Sequence, residues 1–464
     1  MGRERVLLGP NVHRVHVVGI SGAAMSGIAA AMLDQGFQVS GSDLEISTYA
    51  NRLRLRGAAV HEGHDAAHVA GADLVIASAA IPPDNVELCE AERSGIGHAD
   101  RSAIVGELFN DKSGIAVAGT HGKTTTSAMT ATILREAGYD PSFLIGAASP
   151  SIGQTNGRYS KSRWMVVEAD EFDEAFLSYR PDVAVITHLE PDHLDYFGTE
   201  ARMVGAFEQF IEQLDSTATL VLRTDIPLLA PLAECHIGVV VRFGPGEAWD
   251  VAGYGTLDTG VTLDLVTPEG PVVSHLAVRG RHNAWNALAA LAASASAGVS
   301  VTEGAKAIGT YTGADRRMQL RTDACDITVL EDYAHHPTAI AATIAAAREI
   351  SHRRLWAIFQ PLLRSRTRDL FEAFAPVFHD ADLVILTEVF SPPGREGLVD
   401  ISLSALAESI DHPLVRYGET FEDIADLIEA EAVSGDLLLV MGPESITPLA
   451  DRLADWAQRR SAAA

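Results

Sequence analysis

The chain has 464 residues, 47% of them hydrophobic, with 35 Lys and Arg against 62 Asp and Glu, a formal net charge of −27. That length suits about three domains of ~150 residues, and the charge excludes general binding to nucleic acid or an anionic membrane, which needs basic surface. Cys89, Cys235 and Cys325 lie too far apart to suggest a disulfide framework or a zinc site. With no apolar run able to span a bilayer and no signal-peptide core at the N-terminus, a cytoplasmic setting is expected.

Residues 14–20 (RVHVVGI) read as a buried strand ending in a glycine. A glycine-containing turn follows, then a helix to residue 35 and a second strand over 37–40 that runs into Gly41, Ser42 and Asp43. This has the shape of a dinucleotide-type βαβ unit, in which a glycine turn meets a phosphate and an acid about 20 residues on meets a ribose hydroxyl. Ser21 and Ala24 stand where the G-x-G-x-x-G fingerprint has its later glycines, so the unit predicts a nucleotide without specifying a dinucleotide. A further strand is expected over 73–78, with helices over 85–93 and 101–110 and a first domain boundary near Glu107.

The second domain opens on the most informative stretch, SGIAVAGTHGKTTTSAMTATILREA over 113–137. An apolar strand breaks at Gly119, passes Gly122, Lys123 and Thr124, and enters an alanine-rich helix. Such a turn aims backbone N–H groups at one spot where the helix dipole favours an anion. Lys123 supplies a cation for outer phosphates and Thr124 a hydroxyl for Mg²⁺. Val117 occupies the first glycine position of G-x-x-x-x-G-K-[ST]. Strands over 164–169 and 183–189 end at Glu168-Ala169-Asp170-Glu171 and at Glu190-Pro191-Asp192-His193. Ligands gather at the carboxyl ends of strands in such sheets, so Thr124, Glu168 and His193 are candidate metal ligands. Segments over 219–223, 238–243 and 251–278 read as a β-rich elaboration, and Gly280–Asn286 opens a long alanine helix to 297.

Near Gly313 the character shifts. Arg316 and Arg317 lead to a strand over 327–330, and then to Asp332-Tyr333-Ala334-His335-His336-Pro337. Strands over 355–360, 382–388 and 436–441 alternate with helices over 338–349, 367–377, 421–430 and 447–459. Alternation of this kind predicts a third α/β domain with a mainly parallel sheet.

Taken in order, Gly119–Thr126, Glu168–Glu171, Asp192-His193, Gly280–Asn283, Arg316-Arg317 and Asp332–Pro337 resemble the Mur ligases over about residues 15–443. The resemblance implies an α/β chain of three domains. These are an N-terminal Rossmann-like UDP-sugar domain (1–107), a central P-loop ATPase-like α/β domain with added strands (108–312) and a C-terminal Rossmann-like amino-acid domain (313–464). It implies ATP and Mg²⁺ as cofactors, UDP-N-acetylmuramate and an amino acid or short peptide as partners, and a monomer or homodimer.

Residue by residue, it implies that Gly119, Thr120, His121, Gly122, Lys123, Thr124 and Thr125 hold the ATP phosphates, with Thr124, Glu168 and His193 on the metal. His282, Asn283 and Asn286 approach the adenine, while Arg316 and Asp332 complete the nucleotide site. Ser21, Gly22, Met25, Ser26, Asp43, His64, Ser78 and Arg101 hold the UDP sugar. Tyr333, His335 and Arg366 face the amino acid, and Lys123, Glu168, His193 and Arg366 carry the chemistry.

The implied reaction is ATP-dependent amide formation through an acyl phosphate, with L-alanine as the amine. Several positions depart from the family pattern. Phe172 stands for a serine, and Leu362 and Leu363 stand for a histidine and an arginine that face the incoming amine. The run 171–176 is nearer to the ligases that recycle murein tripeptide, which is the alternative amine. Three further readings compete: an NAD(P)-dependent oxidoreductase built on residues 19–43, a P-loop switch, and a diverged family member with another substrate.

Overall fold

The structure, a computed structural model, describes residues 7–78, 80–392, 396, 399 and 401–463. The start of the chain over 1–6, within the stretch read as lacking a signal-peptide core, lies outside the described residues.

The first five strands are β1 (Arg14–Val18), β2 (Gln38–Asp43), β3 (Ala59–Glu62), β4 (Leu74–Ala77) and β5 (Gly97–Asp100). They pair in the order β3-β2-β1-β4-β5, parallel throughout, as a Rossmann-like sheet requires. β1 and β4 are almost continuously apolar because both faces are covered.

The central domain carries β6 (Ser113–Ala118), β7 (Ser142–Ser149), β8 (Thr155–Arg158), β9 (Trp164–Glu168), β10 (Val183–Ile186), β11 (Thr219–Arg223) and β12 (Val239–Phe243). Their order is β12-β11-β10-β6-β9-β7-β8, with β7 and β8 antiparallel. The helix Lys123–Glu136 is buried along most of its length and packs on the helix Arg281–Ser296. The added strands β13 (Asp250–Leu257), β14 (Gly260–Val266) and β15 (Val272–Leu276) form a separate antiparallel sheet.

The third domain holds β16 (Gln319–Ala324), β17 (Ile327–Asp332), β18 (Leu355–Phe359), β19 (Leu383–Leu386), β20 (Val415–Tyr417) and β21 (Leu437–Met441), in the order β16-β17-β21-β18-β19-β20. All pairs but β16–β17 are parallel. The three-domain α/β architecture read from the sequence is therefore present.

Some details differ. Residue 107 falls inside the helix Arg101–Asn110 that joins the first two sheets. The helix expected over 367–377 is two short pieces, Arg364–Asp369 and Phe371–Phe374, interrupted at Leu370. The first begins early because Leu363 holds a positive φ of 64° and turns the chain into it.

Candidate functional site

Two backbone features build the phosphate turn. Gly119 has φ 124° and Gly122 has φ 84°, both disfavoured for side-chain-bearing residues. A Cβ at Gly119 would lie 2.7 Å from the His188 carbonyl, and one at Gly122 would lie 2.4 Å from Asn286 Oδ1. The turn is thus moulded against the end of β10 and the start of the helix Arg281–Ser296. Thr120 N–H donates to the His188 carbonyl at 2.9 Å, and Glu190 N–H donates to Thr120 Oγ1 at 3.0 Å. Lys123 then leads the buried helix with its N-terminal amides facing the turn.

Lys123 Nζ donates to the Gly119 carbonyl at 2.7 Å and to both oxygens of Glu171 at 2.7 and 2.8 Å. Burial works against its charge, but Glu171, Asp170 and Glu168 outweigh burial and hold its pKa above the ordinary lysine value. Lys123 is therefore a fixed cation. Glu168, at the end of β9, accepts from Gly146 N–H at 2.7 Å through Oε2.

The turn opens into a cavity of about 790 Å³ between the central and third domains. Thr120, His121, Gly122, Lys123, Thr124 and Thr125 line it from the turn, with Glu168 and His193 from the ends of β9 and the segment after β10. His282, Asn283 and Asn286 enter from one helix start, and Asp332, Tyr333, His335 and Arg366 from the third domain. The donor set that Thr124, Glu168 and His193 offer (hydroxyl, carboxylate, imidazole) suits a divalent ion completed by phosphate and water oxygens.

His193 has φ 51°, a left-handed conformation rare for a residue with a Cβ and typical of functional sites. Arg366 Nη2 donates to Asp192 Oδ1 at 2.7 Å and lies 3.4 Å from His193 Nδ1. Burial would raise the Asp192 carboxyl, but Arg366 and the neighbouring histidines drive it well below the usual range. His335 is pushed well below the usual imidazole value by burial and by Arg366. Its Nδ1 meets the Tyr333 carbonyl at 2.9 Å, which makes Nδ1 the donor and leaves Nε2 the lone pair. Burial outweighs Arg317 at Asp332 and raises its carboxyl.

Several expected residues sit elsewhere. Arg316 lies outside this cavity, over the Tyr333 ring at 4.7 Å, in an adjoining cleft that also includes Arg101 and Glu168. It is Arg317, not Arg316, that reaches the phosphate turn, donating to Thr124 Oγ1 at 3.1 Å. Met25 and Ser26 are buried, and Ser26 Oγ accepts from Asn156 Nδ2 at 3.0 Å across the seam between the first two domains. Asp43 accepts from Ser21 N–H and from Leu44 N–H, so its carboxylate already braces its own turn. Gly22 caps the following helix. His64 bonds buried Glu87 at 2.9 Å, and Ser78 accepts from Ala80 N–H. None of these six borders the cleft that holds Arg101.

Reading the sequence missed Arg317 and Asp192 as site residues. Their signal was present in the pairs Arg316-Arg317 and Asp192-His193, but adjacency does not say which side chain turns inward.

Comparison with known proteins gives the same answer for all three domains. Family profiles match residues 14–113 (Mur ligase family, catalytic domain), 117–294 (Mur ligase middle domain) and 316–443 (Mur ligase, glutamate ligase domain). The UDP-N-acetylmuramate--L-alanine ligase of Symbiobacterium thermophilum is 40% identical over 463 residues, covering 97% of this chain and 95% of that protein. Among solved structures, the UDP-N-acetylmuramate-alanine ligase MurC of Thermotoga maritima superposes with a TM-score of 0.83 at 25% identity, over 96% of this chain and 99% of that one. A murein peptide ligase from Psychrobacter arcticus gives 0.71 at 28% identity, over 96% and 98%. With its three α/β domains, its phosphate turn and its full-length relatives in agreement, the chain belongs to the Mur ligase family.

Proposed function

We propose that this protein joins L-alanine to the lactyl carboxylate of UDP-N-acetylmuramate at the expense of ATP, as a step of peptidoglycan precursor synthesis. The observation that carries the reading is the convergence of Lys123, Glu168, His193 and Arg366 on one cavity in a chain 40% identical along its length to an L-alanine ligase. The NAD(P)-dependent and P-loop switch readings leave the third domain's contribution to that cavity without a role.

A carboxylate and an amine do not condense in water unaided. In this reading a carboxylate oxygen attacks the γ-phosphorus of ATP, the bond to the bridging oxygen breaks, and ADP departs from an acyl phosphate. The amine nitrogen then attacks the acyl carbon, the carbon–oxygen bond breaks, phosphate leaves, and the nitrogen loses a proton. Lys123 at the turn stabilises charge on the transferred phosphoryl group. Mg²⁺ held by Thr124, Glu168 and His193 would offset the triphosphate charge. Arg366, fixed by Asp192, presents a guanidinium for the carboxylate of the amino acid. His335 is held neutral, with Nδ1 donating to the Tyr333 carbonyl and Nε2 unprotonated, so it can accept a hydrogen bond from the incoming amine, while its lowered basicity makes it a weak proton acceptor. Three unpaired thiols, and the absence among described residues of any helix able to cross a membrane, accord with a cytoplasmic enzyme.

Leu362 lines the cavity beside Arg366 where the family has a polar side chain, so a bulkier amine is the second reading. Phosphate release with ATP, UDP-N-acetylmuramate and L-alanine, L-serine, glycine or murein tripeptide separates the two. Release is expected to be fastest with L-alanine. Preference for the tripeptide overturns the L-alanine assignment.

A further inference from the structure

Beside the phosphate turn stands a second donor cluster that uses neither Thr124, Glu168 nor His193. His121 from the turn, and His188 and Glu190 from the segment after β10, each bring one ligand atom within 4.8 Å of the others. His121 Nε2 bonds Glu190 Oε1 directly. The His121 ring lies 5.4 Å from His188 and 5.0 Å from His336, centroid to centroid. His336, on the third domain and 5% exposed, sets Nδ1 at 3.3 Å from Glu190 Oε1. Two nitrogens here are buried without a hydrogen-bond partner among the described residues, His188 Nδ1 and His336 Nε2. A buried, unpaired imidazole nitrogen is costly and is what a missing ligand leaves behind.

We infer that His121, His188 and Glu190 form a site for a borderline-soft divalent ion of the Zn²⁺ class, with His336 in reach as a fourth donor. Two or three imidazoles with one carboxylate match that class, whereas Thr124, Glu168 and His193 offer Mg²⁺ two oxygens and a single imidazole. Tetrahedral bonds of about 2.0–2.1 Å need donors about 3.3 Å apart, so a small rotation of rings already in contact completes the set. An ion here ties the phosphate turn to the third domain through His336, so occupancy of this site would fix the turn against the lobe that closes on it. The inference does not depend on which amine the enzyme uses.

The test is metal binding by tag-free, nucleotide-free full-length protein. Co²⁺ added as a spectroscopic substitute is expected to give a visible absorption band of tetrahedral intensity, and Zn²⁺ to abolish it at about one equivalent. His188→Asn and Glu190→Gln should each weaken Zn²⁺ by about tenfold or more in chelator competition, while His193→Ala leaves it unchanged. His188→Asn removes a nitrogen that bonds nothing at Nδ1, and matching melting temperatures without metal establish that both variants fold. Absence of the Co²⁺ band in the parent protein, unaltered Zn²⁺ affinity in both variants, or an equal loss in His193→Ala each overturns the site.

Discussion

Lys123 shows how a single side chain is readied for phosphate before any phosphate arrives. The carboxylates of Glu171, Asp170 and Glu168 keep it charged in a buried setting, and the Gly119 carbonyl aims it back over the turn. Removing it deletes the cation and also leaves Glu171 buried without its partner. Lys123→Ala should therefore cut turnover by about 10²–10³, the usual loss of one preorganised electrostatic contact. Affinity for UDP-N-acetylmuramate, measured by calorimetry, should hardly change, because Lys123 is held inside the phosphate turn by the Gly119 carbonyl and Glu171. Equal losses in both would place the lysine in the sugar site or in the fold itself.

The same scale explains a pH dependence. Burial, with smaller contributions from Arg317 and His121, lowers His282 to about 4. His188 is lowered to about 4 by burial and then by His121. Between about pH 6.5 and 4 the unfolded chain binds protons at these rings that the folded chain refuses, so stability falls as pH drops through that window. Glu190, lowered to about 2 against the opposing effect of burial by its bond to His121, acts in the same sense further down. Its contribution is present above the unfolded carboxyl value and lost toward pH 2. Relief of repulsion in a chain of charge −27 opposes this trend but is common to parent and variant. The drop in melting temperature from pH 7 to pH 5 should be smaller in His282→Asn than in the parent; an unchanged drop would remove His282 from the account.

Elements were legible where one physical signal dominated. β1, β6, β9, β10 and β21 are near-continuous apolar runs ending in glycine or acid, and the sequence locates each within a residue or three. β7 and β8 were missed because their partners supply the reason they exist. Thr155–Arg158 is a polar tetrapeptide, yet it lies against the first domain so closely that a Cβ on Gly157 would sit 2.0 Å from the Gly27 carbonyl oxygen. No local propensity announces such a contact between distant glycines. Gly157→Ala must part the two backbones, at a cost of about 1–3 kcal/mol. A lowered melting temperature is expected, with earlier release of the first domain in limited proteolysis. An unshifted melting curve would mean that the seam is slack. The phosphate turn lies at the other extreme, since glycines, lysine and threonine at fixed spacing leave few folds open. The residues expected to hold the UDP sugar are not gathered on one cavity. The loop over 19–27 has the expected shape, but several of its polar groups are consumed in holding that shape.

At the scale of the whole molecule, one carboxylate ties three domains. Asp315 accepts from Arg52 of the first domain at 3.1 Å and from Gln154 of the central domain at 3.0 Å, while its own N–H donates to the Ala148 carbonyl. It stands at the turn where the third domain begins, between Gly313 with φ 109° and Arg316 with φ 56°. These positive-φ positions turn the chain into the third domain beside the three-way contact. A site built between two domains can be shielded from water, and an acyl phosphate survives until the amine attacks only where water is kept out.

That intermediate is the claim on which the rest depends, and isotope transfer tests it most directly. UDP-N-acetylmuramate labelled with ¹⁸O in the lactyl carboxylate should pass one labelled oxygen to the released phosphate, with the amide product retaining the other, as read by mass spectrometry. Unlabelled phosphate beside an amide product would mean that the carboxylate never attacked ATP, and the account would be wrong.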